Sequence, residues 1–114
     1  MAVDETLTAR LRDALGGVEG VEEKKMMGGV CFMVGGHMLG GAHVEKTGRR
    51  RFMFRIGKDN MAEALSDPTA HEVTMGARKL GGFIHVEDDD CPDAALRKWV
   101  ALALSFLATL PPRP

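Results

Sequence analysis

The chain has 114 residues and a formal net charge of -1, since 15 Lys and Arg residues stand against 16 Asp and Glu residues. This length fits one domain that buries a core without disulfide or metal cross-links. The balanced charge excludes general attraction to DNA or anionic lipid, so a nucleic-acid role would need a local basic patch. The longest apolar run, residues 100–110, is shorter than the ~20 residues of a membrane-spanning helix, and we expect no membrane partner.

The cysteines and the first residues favour a cytoplasmic protein. Cys31 and Cys91 belong to no CxxC motif or closely spaced Cys/His set, so we expect free thiols in a reducing compartment. The N-terminus combines no basic region with an apolar stretch, as a signal peptide would.

Hydrophobic periodicity predicts a helix first and strands next. Apolar residues from 7 to 18 recur at helical spacing after Asp4, a candidate N-cap, and Gly16-Gly17 ends this helix. From residue 23 to residue 56 the period changes to two, which is typical of strands with one buried face. The phenylalanines of the segment 49–56 belong on that buried face.

The glycine pairs within these strands predict a hairpin and a bulge. Gly35-Gly36 forms a two-residue loop, so that Val34 faces His37 across it. In this register Phe32 lies opposite Leu39 on the buried face, and the neighbouring Cys31 lies on the other face. Gly40-Gly41 indicates a bulge that reverses the alternation after it.

The second half of the chain predicts two helices around another hairpin. A short helix covers 59–66, strands cover 72–75 and 83–87 with a loop over 76–82, and a final helix begins near Pro92. The order α-β(3-4)-α-β(2)-α indicates an α+β fold, a two-layer sandwich in a single domain of residues 1–114. Its antiparallel sheet has five to six strands, with helices packed on one side.

Two surfaces are candidates for binding. The final helix carries Leu102, Leu104 and Phe106 beside its main apolar stripe, which predicts a surface for a protein partner or self-association. The alternative is nucleic-acid contact through Lys24 and the basic run Arg49-Arg50-Arg51, with Lys24 on a neighbouring strand. We favour a solvated edge for the basic run, because no aromatic residue is interleaved with it for base stacking.

Metal and catalytic chemistry lack a matching pattern. Cys31, His37, His43 and His85 are the candidate soft or imidazole ligands, but the predicted register puts Cys31 and His37 on opposite faces. No Ser/His/Asp set, Cys/His set or phosphate-binding glycine loop is brought together. We therefore expect a protein that is not an enzyme, with no catalytic residues, cofactor or metal.

Five segments follow one another along the chain: Lys25-Met26-Met27-Gly28-Gly29, Phe32-Met33, Arg55-Ile56-Gly57, the hairpin from Met75 to Val86, and Trp99-Val100 through Leu110-Pro111-Pro112-Arg113. In this order they resemble the TfoX/Sxy N-terminal domain family. The chain departs from that family's pattern at Met27, which replaces an aromatic residue, and at Ala77 and Lys79, which replace Gly and Pro.

The resemblance implies a regulator. Full-length members of that family control natural competence, act at promoters with a cyclic-AMP-dependent activator, and carry a second helical domain. We expect a stand-alone N-terminal domain without that second domain, acting as a non-enzymatic regulatory or protein-interaction domain whose process the residues do not specify.

Overall fold

A computed structural model describes residues 4–26 and 28–111. Met27, Pro112 and Arg113, which belong to the motifs above, lie outside this part of the chain. The elements in chain order are α1 (Glu5–Ala14), β1 (Val21–Met26), β2 (Gly29–Val34), β3 (His37–Val44), β4 (Arg50–Arg55), α2 (Met61–Leu65), β5 (His71–Met75), β6 (Arg78–Glu87) and α3 (Asp93–Leu107).

The strands form one antiparallel sheet of six strands in the order β1-β2-β3-β4-β6-β5, which confirms the predicted α+β architecture. One face of the sheet packs against the helices, because it carries the large apolar side chains of alternate residues. Trp99 of α3 is 1% exposed in this core. The fully buried strand residues on that face are Phe32, Leu39, Phe52, Phe54, Ile84 and Val86.

The hairpin of β2 and β3 contains the predicted bulge, but the bulge lies at Leu39, one residue before the predicted Gly40-Gly41. Val34 faces His37 as predicted, but Phe32 pairs with Gly40 instead of Leu39, which becomes the additional residue of the bulge. Leu39 and Phe32 are nevertheless both fully buried. The alternation then reverses as predicted, and Ala42 faces the core.

The predicted loop over 76–82 is wrong, because β6 already begins at Arg78 and Gly76-Ala77 is a tight turn. Gly82 bends this strand without ending it: its φ is +84°, and its carbonyl accepts the backbone N–H groups of Ile56 and Gly57. The predicted helix over 59–66 is shorter, since a 3-10 turn (Lys58–Asn60) precedes α2.

A network of charged side chains ties α1 to the sheet. Asp4 caps α1 as predicted, with Leu7 N donating to Asp4 Oδ1 at 2.9 Å. Arg50 Nε donates to Asp4 Oδ2 at 2.7 Å, and Arg50 Nη1 donates to Asp88 Oδ2 at 2.9 Å. Arg10 Nη1 donates to the other Asp88 oxygen at 2.6 Å. The N-terminus of α1, strand β4 and the turn after β6 are thereby joined.

We expect this network to weaken in acid. The Leu7 backbone hydrogen bond, and next the Arg50 hydrogen bond, hold the pKa of Asp4 below its ordinary value of 3.8. A carboxyl whose pKa is lowered in the folded state stabilises the fold above the unfolded pKa, and this contribution is lost as the pH falls through the folded pKa. The urea midpoint of unfolding should therefore decrease as the pH is lowered from about 5 to about 2, and the decrease should be smaller for Asp4→Asn.

Urea unfolding at about pH 6 and about pH 3 measures this effect, with Asp59→Asn as a control at an exposed carboxyl. Equal pH dependence in Asp4→Asn and the wild type would show that the cap and ion pair contribute nothing to it.

Candidate functional site

The face of the sheet opposite the helices forms a trough, which we call the open face. Strand register places alternate side chains there in rows, because directly paired residues point to the same side. No helix of residues 4–26 or 28–111 packs on it. Two of its rows run Met26, Gly29, His43, Arg51, Glu87 and Lys24, Cys31, Gly41, Met53, His85.

The trough has a volume of about 540 Å³ and apolar walls. Met38, Met53 and Phe83 line its interior. Met26 and Met75 form its rim and are 60% and 68% exposed. Flexible, polarizable thioethers on an uncovered face provide an adaptable apolar surface for binding.

A charged cluster lies at one end of the trough. The Arg51 side chain is only 15% exposed, and its Nη2 lies 3.0 Å from Glu45 Oε1. Its Nε lies 3.8 Å from Glu87 Oε1. Burial is the main cause that lowers the pKa values of both His43 and His85, and Arg51 lowers them further. Both imidazoles are therefore neutral at pH 7, since their ordinary pKa is 6.5.

Three buried polar atoms of this cluster have no hydrogen-bond partner among the described residues: Glu45 Oε1, Arg51 Nε and His85 Nδ1. The 3.0 Å contact between Glu45 and Arg51 attracts by charge, but its alignment does not make a hydrogen bond. Buried polar groups are nearly always hydrogen-bonded in native proteins, so these three atoms are exceptions, and neighbouring protein atoms cover them from the trough.

The thiols are not activated as nucleophiles. Burial raises the pKa of Cys31 on the open face, although Lys24 acts in the opposite direction. Cys91 lies in the core, where burial raises its pKa to about 11. Both cysteines are free and protonated at neutral pH. A protonated thiol is a poor nucleophile, because the thiolate is the reactive form.

The candidate metal ligands are divided between the two faces. His37 lies away from Cys31, as predicted, and its Nε2 is 2.8 Å from the Pro111 carbonyl oxygen. His43 and His85 share the open face with Cys31. Within residues 4–26 and 28–111, no three His, Cys, Asp or Glu side chains are grouped so as to hold a metal ion.

The basic run is dispersed and paired with carboxylates. Arg49 lies 3.7 Å from Glu87, and Arg51 and Arg50 contact the carboxylates described above. Lys24 is not on a neighbouring strand, because β2 and β3 separate β1 from β4. This distribution opposes a shared phosphate-binding patch, and nucleic-acid contact through these residues stays an untested prediction.

The predicted partner surface on α3 is half-buried. Leu102, Leu104 and Phe106 all pack against the core cluster. The Arg55 guanidinium carbon lies 5.4 Å from the centroid of the Phe106 ring. Another neighbour of this ring is Gly57, where an added Cβ would lie 2.3 Å from Phe106 Cδ1. These side chains leave less free apolar surface than the rim methionines do.

Hydrophobic periodicity shows which residues of each strand face away from the core, but it does not show which of them lie together on the open face. Cys31, Met53 and His85 each alternate with a buried apolar residue of their own strand. Only the pairing of strands in the order β2-β3-β4-β6 brings these three residues onto one row. Strand order depends on long-range packing, so single-strand patterns do not specify it.

These features define a small two-layer α+β domain with one uncovered, methionine-lined sheet face. The chain belongs to the TfoX N-terminal domain family, whose pattern it matches over residues 13–107. Comparisons with curated proteins and with solved structures gave no significant match. None of the helices described is both long and apolar enough to cross a membrane.

Proposed function

We propose that this domain is a non-enzymatic regulatory module that binds a partner protein through the open face. The observation that carries the proposal is the exposure of Met26 and Met75 at the rim of the trough. Exposed apolar patches on small domains commonly mark interaction sites, and methionine adapts to the shape of a partner. Membership in the TfoX N-terminal domain family supports a regulatory role.

The open face is a better partner surface than α3. Met75 is 68% exposed, whereas Leu102 and Phe106 are half-buried against the core. Burying an exposed methionine side chain contributes roughly 1.5–3 kcal/mol to association, while a side chain already half-buried has less surface to contribute.

We expect Met75→Lys to reduce partner capture about tenfold, because a charged side chain would replace an apolar one that the partner covers at the rim of the trough. The tagged wild type and Met75→Lys are compared in affinity capture from the native cell. Ala62→Lys is the matched control, since Ala62 is exposed on α2, away from the trough. Circular dichroism checks that each variant is folded.

Leu102→Glu separates the two surfaces. A partner that the wild type, Ala62→Lys and Leu102→Glu all capture, but Met75→Lys does not, supports the open face. A partner lost only with Leu102→Glu moves the interaction to α3, and equal capture by all variants rules out both surfaces.

A further inference from the structure

We propose that the cavity between the C-terminal ends of β4 and α3 binds a small organic carboxylate that carries an apolar ring. Arg55 binds the carboxylate group, and aromatic side chains contact the ring. The proposal is independent of partner binding at the open face, because Arg55, Lys58 and Phe106 line this cavity and not the trough.

The Arg55 side chain lacks a counter-charge in the part of the chain that the structure describes. It is half-buried, and no ion pair or hydrogen bond joins its guanidinium to another described residue. The other half-buried arginines each lie in an ion pair: Arg10 with Asp88, Arg50 with Asp4, and Arg51 with Glu45. A guanidinium that loses part of its hydration is usually paired with an acid, so the partner that Arg55 lacks is an anion.

The Arg55 guanidinium is held in place and remains accessible to a ligand. Its contact with the Phe106 ring, at 5.4 Å from the centroid, fixes the position of the cation without pairing its charge. Its N–H groups therefore stay available to the two oxygens of a carboxylate, which a guanidinium binds in a two-pronged geometry. Arg55 lines the cavity, so a ligand there reaches these groups.

The charges of the cavity suit a ligand with a single negative charge. Lys58 also lines it, and its side chain lies along Gly81, where an added Cβ would be 3.0 Å from Lys58 Cε. Asp59 is an exposed lining residue and forms no ion pair with Arg55 or Lys58. Two cations and one carboxylate leave one positive charge, which a carboxylate ligand neutralises and a doubly charged phosphate exceeds.

The cavity also has room for the ring of such a ligand. Its volume is about 650 Å³, which is within the range of ordinary small-molecule sites. Phe83 and Phe106 supply aromatic lining, and Gly57, Gly81 and Gly82 contribute backbone without side chains. This lining suits a flat ring attached to the carboxylate.

The probe is benzoate, titrated into the isotopically labelled protein and followed by the amide NMR signals. We expect a dissociation constant of about 1 mM, which is ordinary for a ligand of this size, with the largest shifts at Gly57, Gly81 and Gly82. Benzamide has the same shape without the charge and should bind about tenfold more weakly. Phenyl phosphate should also bind more weakly than benzoate, because its second charge is left unbalanced.

Arg55→Gln removes the guanidinium and should abolish the preference for benzoate over benzamide. Arg97→Gln is the matched control, because it makes the same change in net charge at an exposed residue of α3 that does not line the cavity. Lys58→Gln should weaken benzoate binding less than Arg55→Gln does, since water and salt screen an exposed ammonium group. The amide spectrum without ligand checks that each variant is folded.

The wild type alone can overturn the proposal, through equal binding of benzoate and benzamide, shifts confined to residues outside the cavity, or no shifts at about 10 mM benzoate. Unchanged benzoate binding by folded Arg55→Gln would also overturn it. Tighter binding of phenyl phosphate than of benzoate would rule out a carboxylate as the ligand.

Discussion

Gly40→Ala should lower the free energy of unfolding by about 3 kcal/mol, the upper end of the range for overpacking in a close-packed interior. A Cβ on Gly40 would lie 2.0 Å from the Met53 carbonyl oxygen and 3.1 Å from Phe54 Cα. Both atoms belong to the backbone of the paired strand β4, so no side-chain rotation relieves the overlap. Strands β3 and β4 would have to separate at Gly40, and their ladder hydrogen bonds would weaken.

Urea unfolding of Gly40→Ala and Gly81→Ala measures this difference. Gly81 also lies in a strand, but a Cβ there would meet only the flexible Lys58 side chain, at 3.0 Å. We expect Gly81→Ala to change the stability by less than about 1 kcal/mol. If the two variants unfold at the same urea concentration, the close pairing of β3 with β4 does not require a glycine at position 40.

Asp88→Asn should cost about 2 kcal/mol of stability. Asp88 is 14% exposed and accepts hydrogen bonds from both Arg10 and Arg50. Asparagine at this position would have no negative charge to pair with the two arginines. Hydrogen bonds to charged groups contribute roughly 1.5–3 kcal/mol each. The sum is reduced here because the arginines are 24% and 36% exposed and keep their contacts with Asp93 and Asp4.

Asp89→Asn is the control for this change, because Asp89 lies in the same turn and is exposed. Chemical denaturation of both variants at neutral pH should show a change within about 0.5 kcal/mol for Asp89→Asn. A loss of the same size in both variants would mean that the turn, and not the pairing of Asp88 with the two arginines, determines the stability.

The sequence was sufficient for the elements whose signals are local. The Asp4 cap, the Gly35-Gly36 hairpin and the burial of Phe52 and Phe54 follow from turn chemistry and alternation, and the structure confirms them. The β5–β6 hairpin is confirmed, but its predicted loop over 76–82 is wrong, because glycines normally indicate loops. Here Gly82 permits a bend within a strand that lies close to Gly57.

The candidate site depends on information that no single segment contains. Arg51 reads as one member of a basic run, yet its environment is set by Glu45 in the preceding turn and Glu87 in β6. The order of strands in the sheet likewise places β2 and β3 between Lys24 on β1 and Arg51 on β4. Contacts between residues distant in sequence therefore decide which charges are paired and which faces are apolar.

The position of β1 at the edge of the sheet has a consequence for aggregation. An edge strand presents backbone N–H and C=O groups that a strand of another molecule can pair with. The exposed run Glu22-Glu23-Lys24-Lys25 on β1 makes such pairing costly, because these charges would have to lose water. Lys24 thus helps to prevent edge-to-edge pairing of β1 with a strand of another molecule. The protein can therefore expose an apolar trough without aggregating along this edge.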